Sequence, residues 1–210
     1  MVTHGDRVAD FVRPALEGLG FKKERRSTPF TIVLSSEAIG VLTLMSATEH
    51  NRKGTVSIMP NVGVRHEEVA RRIEGLLGEP RNAYLRTTVN RPLDEVTREF
   101  QPPWWLFDLA GDMTQPANEM IAAIESIGLP WMHRHTSLSD MIEEMERWPL
   151  PWRLKFDRPV ALYLDGREDL ALAALHEELG KLGDRTDLAA EEFHRFTASF
   201  ERYIGDHRLT

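Results

Sequence analysis

The chain has 210 residues, of which 41% are hydrophobic and 28% charged, and its formal net charge is −7. That is enough length for one ordinary domain or two small ones with a real core, and the balance is that of a globular chain, not a disordered one. The absence of cysteine excludes a disulfide framework, a thiolate metal site and a cysteine nucleophile, and makes a reducing cytoplasm the expected location; the negative charge argues against general affinity for nucleic acid, which rests on releasing counterions from phosphates.

The opening stretch MVTHGDRVADFV carries charge and no continuous apolar run. No secretory signal is expected there, and Met1 reads as a native start. No run approaches the ~20 apolar residues of a membrane helix. Val8, Phe11, Val12, Ala15 or Leu16, and Leu19 recur at helical spacing and predict a first helix. Pro14 predicts either a kink or a short regular part, and Gly20 a left-handed stop.

Strands follow. Phe21 to Ser27 is expected as a polar edge strand. Phe30, Ile32 and Leu34 alternate with more polar neighbours, Val41 to Ala47 is apolar on both faces and therefore central, and Val56, Ile58, Val62 and Val64 give the cleanest alternation. Pro60 places that last strand near an edge or at a bulge. Glu67 and Glu68 suit the positive end of a second helix, with Val69, Ile73, Leu76 and Leu77 as its stripe and Gly78 and Pro80 as its end. Tyr84 to Val89 is a candidate further strand.

Gln101-Pro-Pro-Trp-Trp-Leu-Phe-Asp108 is expected to be irregular because of its prolines. A helix then starts near Pro116, carries Met120, Ile121, Ile124 and Ile127, and stops at Gly128. Another runs from Ser137, capped with Asp140, to Trp148. Trp148-Pro-Leu-Pro-Trp152 marks the best internal boundary. Pro159 to Gly166 fits a short strand or the end of a helical pair, Asp165 with Glu168 fits a cap, and two helices separated at Gly183 form a hairpin, the second capped by Asp187. The fold class expected is α+β: an antiparallel sheet of three to five strands with helices on one face, residues 1–150, and a helical C-terminal extension, residues 151–210, packed on the first domain.

Few polar groupings stand out. His133-Arg-His135 with Asp140, or Asp112 in its place, is the one spacing that suits a metal, and two imidazoles with a carboxylate are a metal-hydrolase ligand set; two surface histidines explain the same spacing. Trp104 and Trp105 offer a partner-binding pair, against the alternative that they plug the sheet. Lys22, Lys23, Arg25 and Arg26 can grip a phosphate or simply guard an edge strand. Asp108, Asp112, Glu143 and Glu144 belong to an acidic stretch from residue 108 to 147, and the chain from Asp165 onward is acidic too. Dinucleotide, Walker, nucleophile-elbow, HExxH and kinase signatures are all missing.

The run Leu19-Gly-Phe-Lys-Lys23, following an amphipathic helix and preceding strands, resembles the bacterial domain-of-unknown-function family 4304 over residues 6 to 150. That resemblance implies no catalytic residue. The leading expectation is a non-enzymatic cytoplasmic protein-binding module, such as an immunity-type inhibitor that meets a basic toxin through Trp104, Trp105, Asp108, Asp112, Glu143 and Glu144. The alternatives are a metal-dependent hydrolase using His133, His135 and Asp140, and a small-ligand-binding domain. No cofactor, nucleic acid or membrane partner is expected.

Overall fold

The computed structural model describes residues 3–25, 28–48, 54–78, 86–96, 104–148 and 151–207. Within it the chain forms two compact units, Met1–Arg65 with Val89–Thr136, and His66–Thr88 with Ser137–Thr210. This differs from the division at residue 150 expected from the Trp-Pro-Leu-Pro-Trp stretch. The hydrophobic stripe of the helix from Glu67 and that of the helix after Ser137 both pack with the C-terminal helices, so the second unit recruits them.

The first unit is the α+β part. Helix α1 (His4–Gly18) is capped reciprocally: the Thr3 hydroxyl accepts from the Asp6 N–H, and the Asp6 carboxylate accepts from the Thr3 N–H. Pro14 lies within it, and Gly20, at φ 93°, ends the turn that follows. Its buried face is Val8, Ala9, Val12 and Leu16; Phe11, expected in that stripe, is 44% exposed.

Strands β1 (Phe30–Val33), β2 (Ala38–Thr48), β3 (Thr55–His66), β4 (Val89–Pro92) and β5 (Trp105–Asp108) form one antiparallel sheet ordered β1-β2-β3, with β4 and β5 both on the far side of β3. The edge strand expected from Phe21 to Ser27 reduces to a single bridge, Lys22 with Thr31; Arg26 and Ser27 lie outside the described residues. Strand β3 is central, not an edge. Pro60 is tolerated because β5 pairs with Thr55–Ile58 and β4 with Asn61–Val64, so the proline falls in the gap between two partners. β5 corrects the irregular reading of its segment: beyond the prolines, Trp105 and Phe107 are buried and Leu106 and Asp108 exposed, the period of a strand.

Helices cover one face. α1 packs on β2, and α4 (Thr114–Ala123) packs on β5 and α1. α3 (Leu93–Val96) follows β4. α4 continues without a stop through a π-helical segment, Ile124–Gly128, into α5 (Leu129–Arg134). Gly128, read as a terminator, is an ordinary helical residue whose role is proximity: an added Cβ would stand 3.1 Å from Val62 and 3.3 Å from Leu93. The wide π turn also suits Pro130, which has no N–H to give the preceding turn. At Gly40 the approach is tighter still. A Cβ there would lie 2.7 Å from Ile32 and 2.9 Å from the Met132 sulfur. Gly40→Val is therefore expected to cost about 2–3 kcal/mol by overpacking, read from the urea midpoint.

The second unit is helical: α2 (Glu67–Leu77), α6 (Leu138–Arg147), α7 (Pro151–Leu164), α8 (Glu168–Leu182) and α9 (Leu188–His207). α2 ends at Gly78 in the left-handed region, φ 68°, as expected. Of the two readings of the Pro159 stretch the helical one holds: Pro159 to Leu164 is the last part of α7, and α8 starts at Glu168 behind Arg167, with Asp165 paired to Arg167 at 2.7 Å instead of capping. Asp187 caps α9 through the Ala189 and Ala190 N–H groups. Phe193, Phe196, Phe200 and Ile204 of α9 supply much of this unit's core.

Candidate functional site

The residues singled out from sequence divide between the two units. In the first unit Trp105 is 3% exposed on the helix-covered face of the sheet, opposite Ile58. It is core and has no surface to give a partner; Trp104, beside it, is half-buried. Asp108 and Asp112 are exposed, but each serves its own turn. Asp108 accepts from the Ala110 N–H and Asp112 from the Thr114 N–H. The Thr114 hydroxyl, and then its N–H, hold the Asp112 carboxyl below the usual aspartate range.

His133 and His135 sit at the end of α5 and diverge. His133 is exposed. His135 is buried, its ring 4.3 Å from that of Trp131, with Nδ1 2.7 Å from the Trp131 carbonyl oxygen. A carbonyl only accepts, so this bond requires the proton on Nδ1. His135 thus closes the helix end, one turn after the carbonyl it binds. Asp140 belongs to the second unit, where it caps α6 with Ser137. Among the described residues no group of three or more His, Cys, Asp or Glu side chains is placed to hold a metal ion.

Glu143 and Glu144 point opposite ways from α6. Glu143 is 63% exposed and lies 3.6 Å from Arg147, whereas Glu144 is 4% exposed. Glu144 falls within the Met141, Ile142, Met145 stripe, a signal that spacing alone carries and charge obscured. Of the six residues expected to meet a partner, Trp105 and Glu144 are therefore inside.

Shallow concavities occur in both units, and two of them are formed by described residues. One, of about 260 Å3 in the first unit, lies between the start of α1, Lys23, Phe30 and strand β2. The Lys23 ammonium stands 4.6 Å above the Phe30 ring, and Asp6, already the cap of α1, supplies the opposite charge. The other, about 580 Å3 in the second unit, is a trough between the end of α2 and α9, lined by Gly75, Leu76, Leu77, Gly78, Glu192, Arg195, Ala198 and Ser199. Sequence reading missed it because small residues on two helices give no motif.

The surface of the second unit is laced with ion pairs. Lys181 lies 2.6 Å from Glu178 and 2.9 Å from Glu177, and these bonds raise its pKa and lower that of Glu177. Arg185, 2.8 Å from Asp187, holds that carboxyl below the ordinary aspartate value, helped by the Ala190 N–H. Because the folded carboxyl titrates below the unfolded one, the cap's stabilisation is present above the unfolded value and is lost as pH falls through the lower, folded one. An NMR titration is expected to show Asp187 and the amides of Ala189 and Ala190 moving together below the normal aspartate range; a midpoint at or above that range contradicts the cap.

Comparison of the chain with protein-family models, with curated proteins and with solved structures finds no match. Among the described residues no helix is long and apolar enough to cross a membrane.

Proposed function

We propose that this is a non-enzymatic binding protein whose helical second unit engages a basic protein, in the manner of an immunity-type inhibitor that blocks a toxin by covering it. The observation that carries this reading is charge segregation. Residues 137 to 207 hold sixteen Asp and Glu against nine Lys and Arg, a surplus equal to the net charge of the whole chain. Asp169, Asp184, Glu191 and Asp206 are exposed and their carboxylates engage no ion pair or hydrogen bond among the described residues, so they are available at the surface without breaking such a contact. Such a surface steers an oppositely charged partner and sets its orientation. The resemblance of residues 6 to 150 to domain-of-unknown-function family 4304, which brings no catalytic residue, fits the same reading. The metal-hydrolase alternative has no supporting geometry among the described residues.

The test is capture by the full chain from lysate of its own host, at low and at high salt. A protein of basic isoelectric point, retained at low salt and released by high salt, is the expected result. Asp169→Lys together with Asp184→Lys is expected to weaken capture about tenfold, from two surface charge contacts of roughly 0.5–1 kcal/mol each. Recovery of no protein partner at low salt overturns the reading.

A further inference from the structure

Helix α9 keeps one face partly open, with Leu188 and Arg195 exposed and Glu192 and Ser199 half-buried. Leu188, Glu192, Arg195 and Ser199 follow one another at steps of four, three and four residues, which sets them in a single stripe. Leu188 is 83% exposed, the most of any large apolar side chain among the described residues. Glu192 and Arg195 stand three residues apart, yet neither makes an ion pair or hydrogen bond among the described residues. From Glu192 onward the stripe lines the trough of about 580 Å3, with Glu192, Arg195, Ala198 and Ser199 on the α9 side and Gly75 to Gly78 at the end of α2 on the other. Nothing lies within 4 Å of where a Cβ would stand at Gly75 or Gly78, so the trough is clear along the α2 side.

The spacing of the stripe is the same in both directions. A two-fold axis crossing α9 between Phe193 and His194 would bring an antiparallel copy into a register where Glu192 faces Arg195 twice and Leu188 faces Ser199 twice. We propose that a second copy of the chain docks on this face, α9 against α9 and antiparallel, each Leu188 seated in the other copy's trough. The arrangement pairs two charges that have no partner among the described residues and covers the most exposed leucine among them. It uses residues distinct from Asp169 and Asp184, and so stands or falls separately from capture of a basic partner.

The stripe and trough involve far fewer than the ~20–30 residues a side of a stable dimer, so association is weak, on the order of 10–100 µM. Two chains of net charge −7 repel at long range, and ~0.15 M salt, with a Debye length of ~8 Å, removes most of that repulsion while leaving contacting pairs. The experiment is sedimentation equilibrium of the full chain at that salt, from about 5 to about 500 µM, a range that spans the dissociation constant expected for an interface of this size. The mass is expected to rise from 24.0 kDa toward twice that value. Leu188→Asp, an acid in the first turn of α9 that leaves its fold intact by circular dichroism, is expected to keep the chain monomeric. Arg195→Glu is expected to weaken association about tenfold, and Glu192→Arg combined with Arg195→Glu to restore it, because the swapped pair is again complementary across the axis. A chain that stays monomeric throughout, an association indifferent to Leu188→Asp, or a double variant as weak as the single one overturns the proposal.

Discussion

Phe196→Ala is expected to destabilise the second unit by about 3–5 kcal/mol, a large part of the stability of a typical domain. Phe196 is fully buried at the centre of an aromatic ladder on α9. It stacks between Phe193 and Phe200, at 5.9 and 5.7 Å between ring centroids, and meets the edge of Phe156 of α7 at 4.9 Å and 88°. Truncation removes the transfer free energy of a whole phenyl ring and leaves a cavity walled by rings that are held by their own neighbours, so collapse is limited. Phe193→Leu keeps most of the volume and is expected to cost under half as much. Leu188→Ala, on the same helix but exposed, is the internal control and is expected to stay within about 0.5 kcal/mol. Urea unfolding followed by circular dichroism gives all three values. A loss below about 1 kcal/mol for Phe196→Ala would mean that the ladder is not a closed core.

The same helix illustrates what the sequence makes legible. Phe193, Phe196, Phe200 and Ile204 sit at helical spacing behind a capping aspartate, and all are buried. The alternation along β3 and the glycine stops at Gly20 and Gly78 are equally local, written by period and by backbone conformation. What escaped depends on partners far away in sequence. Gly128 looks like a terminator until Val62 and Leu93 arrive within 3.1 and 3.3 Å of its absent Cβ. Pro60 looks like an edge signal until two different strands share one side of β3 and leave it a gap. Trp105 and Glu144 carry the residue types of a binding surface, but the strand pairing of one and the helical phase of the other turn them inward. His133 and His135 share a spacing, not a direction, because a helix end separates them. The candidate site was thus legible as charge and not as geometry. The acidic C-terminal half shows in composition, whereas the trough beside α9 needs α2, more than a hundred residues earlier in the chain, to exist.

Breaking the ion pair between Asp157 and Arg86 is expected to rank next in cost. Asp157, in α7, is 3% exposed at its side chain, and its Oδ2 accepts from an Arg86 guanidinium nitrogen at 3.3 Å. The same guanidinium stands 5.6 Å over the ring of Phe156. The pair therefore ties Arg86, which precedes the buried Thr87 and Thr88, to α7 within the second unit. Asp157→Ala removes the carboxylate that the Arg86 guanidinium meets at 3.3 Å, and a loss of about 3 kcal/mol is expected, at the lower end for buried pairs because Arg86 keeps 29% of its side chain in water. Arg86→Met removes the donor and leaves the more deeply buried carboxylate, so it is expected to cost as much or more. The double variant Arg86→Met with Asp157→Leu removes both charges together. Its cost is expected to be smaller than the sum of the single variants by about 1.5 kcal/mol or more, the coupling that a double-mutant cycle reads directly. Additive losses in that cycle would show that the two charges are held by the rest of the unit and not by each other.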